Sequence, residues 1–149
     1  MPLDFNTASA MLENIRFRRP NGSTIALPGG RLRLVLAAAL HSETLETLLV
    51  VRDPATGRLS AIAPGAARDA DEDLDRGDLL DGVPLSTWRH RKGGTYTSLG
   101  AVKGLEGDMI LYAAHADGLF WIRPRAMFED GRFEASNEAP LSAAEMDLA

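Results

Sequence analysis

The sequence predicts a mainly β chain: two small SH3-like or barrel-like β modules in tandem, with short helical turns. Three observations predict it. Apolar runs are short, alternate with polar residues and stop at glycine- or proline-bearing turns. One order of landmarks occurs twice along the chain. A block of acids separates the two occurrences. The expected boundaries are a first module over 1–68 with its core at 29–64, an acidic linker over 69–87, a second module over 88–133 and a tail over 134–149.

The first residues leave two readings open, irregular chain or a short helix capped by Thr7 or Ser9 and running through Ala10, Met11 and Leu12. Ile15-Arg16-Phe17-Arg18 alternates apolar and basic residues and reads as a strand. Pro20-Asn21-Gly22-Ser23 is a turn, and Thr24 to Leu27 is a second short strand. After Pro28-Gly29-Gly30, the alternation in Arg31 to Leu40 predicts a strand running into three alanines. A polar interruption at His41-Ser42-Glu43-Thr44 precedes a buried-strand run in Leu45 to Arg52. Asp53-Pro54-Ala55-Thr56-Gly57 turns the chain into a strand over Arg58 to Ala63.

Asp69 to Asp81 is a charge block, expected to be solvated, with Leu74, Leu79 and Leu80 tacking it down. In the second half, Gly93-Gly94 precedes strands over Thr95 to Lys103 and Met109 to Ala114. Ala116-Asp117-Gly118 turns the chain into Leu119 to Ile122, and Arg125 to Phe128 is a helical turn after Pro124. The tail is read either as frayed or as a terminal helix from Ser142.

Laid side by side, Gly29-Gly30 matches Gly93-Gly94, and Arg31 to Ala39 matches Thr95 to Lys103. Leu49-Val50-Val51 matches Ile110-Leu111-Tyr112, Gly57 matches Gly118, and Ile62-Ala63-Pro64 matches Ile122-Arg123-Pro124. Five landmarks in one order favour a duplication, with residues 29–64 and 93–124 sharing one strand order.

Composition narrows the chemistry. The 149 residues include no cysteine, which excludes disulfides, thiol catalysis and Cys-ligated zinc. Mean hydropathy is -0.11, no apolar run is long enough for a membrane helix, and the N-terminus lacks a signal-peptide pattern, so a cytoplasmic protein without a membrane partner is expected. The net charge of -5 is uneven. It is carried by the linker and tail, while both β bodies are mildly basic, too weakly for nonspecific DNA binding.

Phosphate-binding, dinucleotide, zinc-protease and nucleophile-elbow motifs do not occur. The acidic block lacks calcium-loop spacing. His41, His90 and His115 have no metal-ligand spacing. No catalytic residue, metal or cofactor is expected. The most suggestive stretch is Trp88-Arg89-His90-Arg91-Lys92, where cationic groups suited to phosphate or carboxylate follow an aromatic ring. Trp121 and Arg123 repeat the combination and share one face of a strand. Trp121 taken alone reads better as a core residue, whereas Arg123 next to Pro124 as readily lines a pocket as it flanks a sheet with Arg89 and Arg91. His41-Ser42-Glu43-Thr44 offers hydroxyls and carboxylates to a ligand sugar or to facing arginines, or forms a plain polar hairpin end.

The stretch Trp88 to Gly94, Tyr96, Leu99-Gly100, Trp121-Ile122-Arg123-Pro124 and Met127-Phe128 resembles a small bacterial and phage family, number 1653 among the domains of unknown function. The resemblance extends well over about 88–130 and more thinly over about 29–64. That family carries a His-Ser-Glu-Thr segment between two strands. Here the segment lies in the first half, at His41 to Thr44, whereas the second half has Gly104-Leu105-Glu106-Gly107-Asp108 in its place. The resemblance implies a compact barrel-like module and no established activity.

The expected function is non-enzymatic binding of a small anionic, nucleotide-like ligand. The occurrence of the resembling family in phages suggests a sponge that sequesters a host nucleotide signal as an anti-defence device. The alternative is an adaptor that binds a protein or nucleic acid through tandem modules, with self-association also open. A hydrolase using His41 or His115 is a third and weaker reading.

Overall fold

The computed structural model describes residues 5–104 and 107–146, apart from the side chains of residues 16–18. Helix α1 (Phe5–Arg18) comes first. Strands β1 (Thr24–Ala26), β2 (Leu32–His41), β3 (Thr47–Arg52) and β4 (Leu59–Ile62) follow. A 3-10 turn (Pro64–Ala66) leads to β5 (Arg68–Asp69). Beyond the acidic segment come β6 (Ser86–His90), β7 (Thr95–Gly104), β8 (Gly107–Ala114) and β9 (Phe120–Pro124). Helix α2 (Arg125–Phe128), β10 (Phe133–Ala135) and a 3-10 turn (Ala143–Glu145) complete the chain.

The chain is mainly β, and six of its strands close a barrel. Antiparallel meanders β2-β3-β4 and β7-β8-β9 are joined by two parallel seams, β4 beside β7 and β9 beside β2. Closure removes the exposed edges that a six-stranded open sheet would leave. Because each seam takes one strand from each half, neither half closes a barrel by itself, and the two halves expected as tandem modules build one barrel together. The acidic linker runs between the halves of one unit.

The two halves nevertheless repeat their pairings. β1 pairs with β2 and β5 as β6 pairs with β7 and β10. A bulge at Leu36 in β2 has its counterpart at Leu99 in β7. Asp53 to Arg58 and Ala114 to Leu119 form the same turn, with Gly57 and Gly118 donating to the carbonyls of Asp53 and Ala114, each at 2.7 Å. These registers keep Val51 equivalent to Tyr112 and Gly57 to Gly118, as the sequence landmarks suggested. They move three landmarks by one residue: Gly30 corresponds to Gly93, Leu32 rather than Arg31 corresponds to Thr95, and Ile62 corresponds to Arg123 rather than Ile122. In a strand a one-residue slip exchanges inward and outward faces, so the shift at Arg123 matters for function.

Inside the barrel, Leu36, Val50, Leu99, Leu111, Phe120 and Ile122 pack as one cluster. Outside the first half, Ala8, Leu12 and Ile15 of α1 cover Val35, Leu40, Leu49 and Val51. Spaced four and three residues apart, those three side chains share one helical face. That face carries the helix through the 15–18 stretch expected to be a strand, and Thr7 and Ser9 lie inside the helix rather than capping it.

The acidic segment is solvated along its charges but fixed by its leucines. Leu79 is buried, and Leu74 and Leu80 pack against the barrel cluster. Arg52 donates to the Leu79 carbonyl at 2.6 Å, and Thr24 Oγ1 accepts from the Leu74 N–H at 2.8 Å. The tail is neither frayed over its described part nor a full helix. Leu141 and Met146 join the barrel cluster, and a capping box between Ser142 and Glu145 closes the short 3-10 turn. Leu105 and Glu106, in the stretch compared with His41 to Thr44, lie outside the described residues. No described helix is long and apolar enough to cross a membrane.

Candidate functional site

Strand alternation sends Trp88 and His90 of β6, Tyr96 of β7 and Tyr112 of β8 to the outer face of the second half, where α2 and β10 cover them. Phe128 stacks on Phe133 with ring centroids 4.2 Å apart, and Tyr112 meets both rings at 5.7 Å. Tyr96 packs edge-on against Tyr112 at 5.4 Å, and Trp88 against Phe128 at 5.4 Å. His90 stands edge-on to Phe133 at 4.9 Å.

Arg123 enters this aromatic cluster from β9. Its guanidinium carbon lies 5.1 Å from the Phe133 ring centroid and 5.6 Å from that of Tyr112. Nε donates to the Tyr112 hydroxyl at 3.1 Å. Nη1 is buried and has no hydrogen-bond partner among the described residues. A charged donor without an acceptor is costly where water is excluded, and such groups are rare without a reason.

The parallel β2·β9 seam brings the other half to the same point. His41 pairs with Ile122, and the Ser42 N–H donates to the Ile122 carbonyl at 2.8 Å. Ser42 Oγ is buried and makes no hydrogen bond of ordinary geometry among the described residues, yet it stands close enough to the Tyr112 phenol to influence its ionisation. Two orphaned polar atoms, one from each half, therefore flank the same phenol. Burial raises the Tyr112 pKa, opposed by the Arg123 charge.

His90 is held below its ordinary pKa first by burial, then by the charges of Arg123, Lys92, Arg91 and Arg132. Its Nδ1 accepts from the Lys92 N–H at 3.1 Å, which leaves the neutral ring's proton on Nε2. His90 also lines a shallow groove of about 480 Å³ shared with Arg89, Arg91, Thr95 and Glu134. Cations thus dominate this corner, with Arg132 paired to Asp130 at 2.9 Å.

The sequence-predicted residues separate into four groups. Trp88, His90, Arg123 and Ser42 converge on the aromatic cluster. Trp121 contributes partly buried surface to this cluster and to the one under α1, acting as packing between them. Arg89, Arg91 and Lys92 are exposed. Arg89 projects from the opposite face of β6 and faces Glu138 at 3.7 Å, so it does not meet Arg123 as expected. In the His41 turn, Nδ1 accepts from the N–H groups of Glu43 and Thr44 at 3.1 and 3.2 Å. Glu43 and Thr44 are exposed there and shape the turn.

Tyr112, Tyr96 and Phe133 were missed by sequence reasoning. Tyr112 lies inside an apolar run whose counterpart is Leu49-Val50-Val51, and that contrast was the available signal. Position by position, the first half carries Ile25, Leu27, Val51, Ile62 and Ala67 where the second carries Trp88, His90, Tyr112, Arg123 and Phe133. The same places are aliphatic under α1 and aromatic-cationic under the shorter α2. Among the described residues, no group of three or more His, Asp and Glu side chains is placed to hold a metal ion. No protein-family model matches this chain, and neither does any curated protein or solved structure.

Proposed function

We propose that this chain is a non-enzymatic binding protein for a small, ring-bearing anion of nucleotide-like chemistry, received where Arg123, Ser42 and Tyr112 meet. The observation that carries this reading is that Arg123 Nη1 and Ser42 Oγ are both buried, both without a hydrogen-bond partner among the described residues, and both near the Tyr112 phenol. A phosphate or carboxylate oxygen satisfies both, because each donates a hydrogen to an acceptor-only group. Aromatic faces around Arg123 suit a planar ring. The surrounding cations favour a negative charge at the point where His90 resists becoming positive. A protein of this kind that holds a nucleotide signal without turning it over acts as a sponge, and the family resemblance of residues 88–130 favours a phage setting for it.

The test is equilibrium binding against a panel of linear and cyclic nucleotides. Saturable binding of one class, lost in Arg123→Met, supports the reading. A folded sample that binds none of the panel at high micromolar concentration refutes it.

A further inference from the structure

The two parallel seams of the barrel occupy equivalent places but are built oppositely. At the β2·β9 seam three residue pairs are in register, Ala39↔Phe120, Leu40↔Trp121 and His41↔Ile122. At the β4·β7 seam one pair is in register, Ser60↔Lys103. The repeated registers place Leu59 where Phe120 stands, Ser60 where Trp121 stands, Arg58 where Leu119 stands and Lys103 where Leu40 stands. Leu40, Leu119 and Trp121 seal the outside of the first seam as one apolar cluster beneath α1. Their counterparts Lys103, Arg58 and Ser60 leave the second seam uncovered. Arg58 and Lys103 are exposed, and neither has an ion pair among the described residues.

A cleft of about 430 Å³ opens at this second seam. β6 follows β7 only as far as Ser98, and β4 touches it in register only at Lys103, so the β7 edge between them is unpaired. Val83 and Pro84 from the end of the acidic segment form the far wall of the gap. Gly100, with φ near +90° at the bulge, leaves the room that Pro84 approaches; a Cβ built there stands 3.3 Å from Pro84 Cγ. The floor is hydrocarbon from Ala101 over the buried core residues Leu59, Leu99 and Val102, and the rim is Arg58 and Lys103. Asp108 also lines the cleft, but it faces Arg125 at 3.9 Å, which leaves the rim net positive.

We infer that this cleft is a second binding site, distinct from the Arg123 cluster, for a small amphipathic anion with an aliphatic body and a single carboxylate head. The apolar floor takes the hydrocarbon, and Arg58 and Lys103 hold the carboxylate from either side. The volume lies within the range of small-ligand sites, whose walls are mostly apolar with a few placed polar groups. The rim cations do not support the fold. The Arg58 backbone N–H is satisfied by Thr56 Oγ1 at 3.2 Å and its carbonyl by the Asp53 N–H at 2.9 Å, whatever its side chain does.

The experiment is an amide-resolved NMR titration of the full chain with octanoate. The expected result is saturable shifts at Gly57, Gly82 and Ala101 to Lys103. The double variant R58A/K103A should weaken binding by at least about tenfold, as loss of charged hydrogen bonds does. Ala101→Leu should block binding by filling the cleft while leaving both charges in place. Octanol should bind more weakly than octanoate, and inorganic phosphate should not shift the apolar residues. Absence of shifts in a folded sample at millimolar octanoate overturns the inference. So do shifts centred on Tyr112 and Arg123, equal binding of octanol, or unchanged affinity in R58A/K103A. Nucleotide binding at Arg123 is read separately in the same variants and should be unaltered.

Discussion

Replacing Arg123 with methionine separates a binding arginine from a structural one. The substitution keeps an unbranched stem of similar reach and removes the charge. On the stability side it deletes the Nε bond to the Tyr112 hydroxyl, worth about 1.5–3 kcal/mol for a charged donor. It also deletes cation contacts with Phe133 and Tyr112, together about 1–2 kcal/mol. Against these losses, it removes the unpartnered Nη1, whose desolvation costs about 1–3 kcal/mol. It also places a thioether among aromatic rings, a contact of about 0.3–1.5 kcal/mol. The terms nearly cancel, so chemical denaturation should show a change within about 1 kcal/mol in either direction. Ligand affinity should fall by about 1–3 kcal/mol, roughly fivefold to 150-fold, because the lost bonds were made to an anion. Calorimetric titration and urea unfolding on the same samples give both quantities. A stability loss above about 3 kcal/mol makes Arg123 a structural element of the aromatic cluster. An unchanged affinity removes it from the site, and either result refutes the reasoning.

His90 should couple binding to protons. Its folded pKa lies below the unfolded value near 6.5, so the neutral form is favoured in the folded state. Stability attributable to it is complete above 6.5 and is lost as pH falls from there through the lower folded pKa; His90→Gln should flatten that part of a pH–stability curve. An anion bound among Arg123, Lys92, Arg91 and Arg132 should raise the His90 pKa, visible as a shifted imidazole NMR titration; no shift on saturation places the ligand elsewhere. Gly118→Ala should destabilise by about 2 kcal/mol or more, since φ is +74° and the added Cβ would stand 2.5 Å from the Glu145 carbonyl oxygen, which thermal unfolding would register. Neutralising Asp71, Glu72, Asp73 and Asp75 should change stability by less than about 0.5 kcal/mol, whereas Leu79→Ala should cost about 2–4 kcal/mol; comparable losses in both would make the acids structural.

Period-two alternation and glycine-bearing turns made the strands of the barrel legible in the sequence, because both are local consequences of backbone geometry. They sufficed for β2, β3, β4, β7, β8 and β9, for the turn at α2, and for the leucines that tie down the acidic segment. The same alternation misled at Ile15 to Arg18. There, the apolar patch on β2 and β3 is covered by one face of α1, and that is a tertiary contact. The landmarks also revealed the repeat, though with Arg123 one residue out of register.

Arg123, His90 and Ser42 were visible as candidates because cationic, imidazole and hydroxyl groups stand out between apolar runs. What the sequence could not place was their company. Tyr112 and Phe133 look like core residues until β8 and β10 turn them to the outer face. Ser42 meets Arg123 only because β2 runs parallel to β9. Pairing between strands far apart in sequence depends on which closure of the barrel buries the most apolar surface and leaves the fewest backbone groups unpaired. Residue types and their spacing are local properties, so the sequence by itself determined the strands, the turns and the chemistry on offer. Barrel closure is a global balance of burial against unpaired backbone, and it alone decided that one barrel forms from both halves and which side chains meet on its surface.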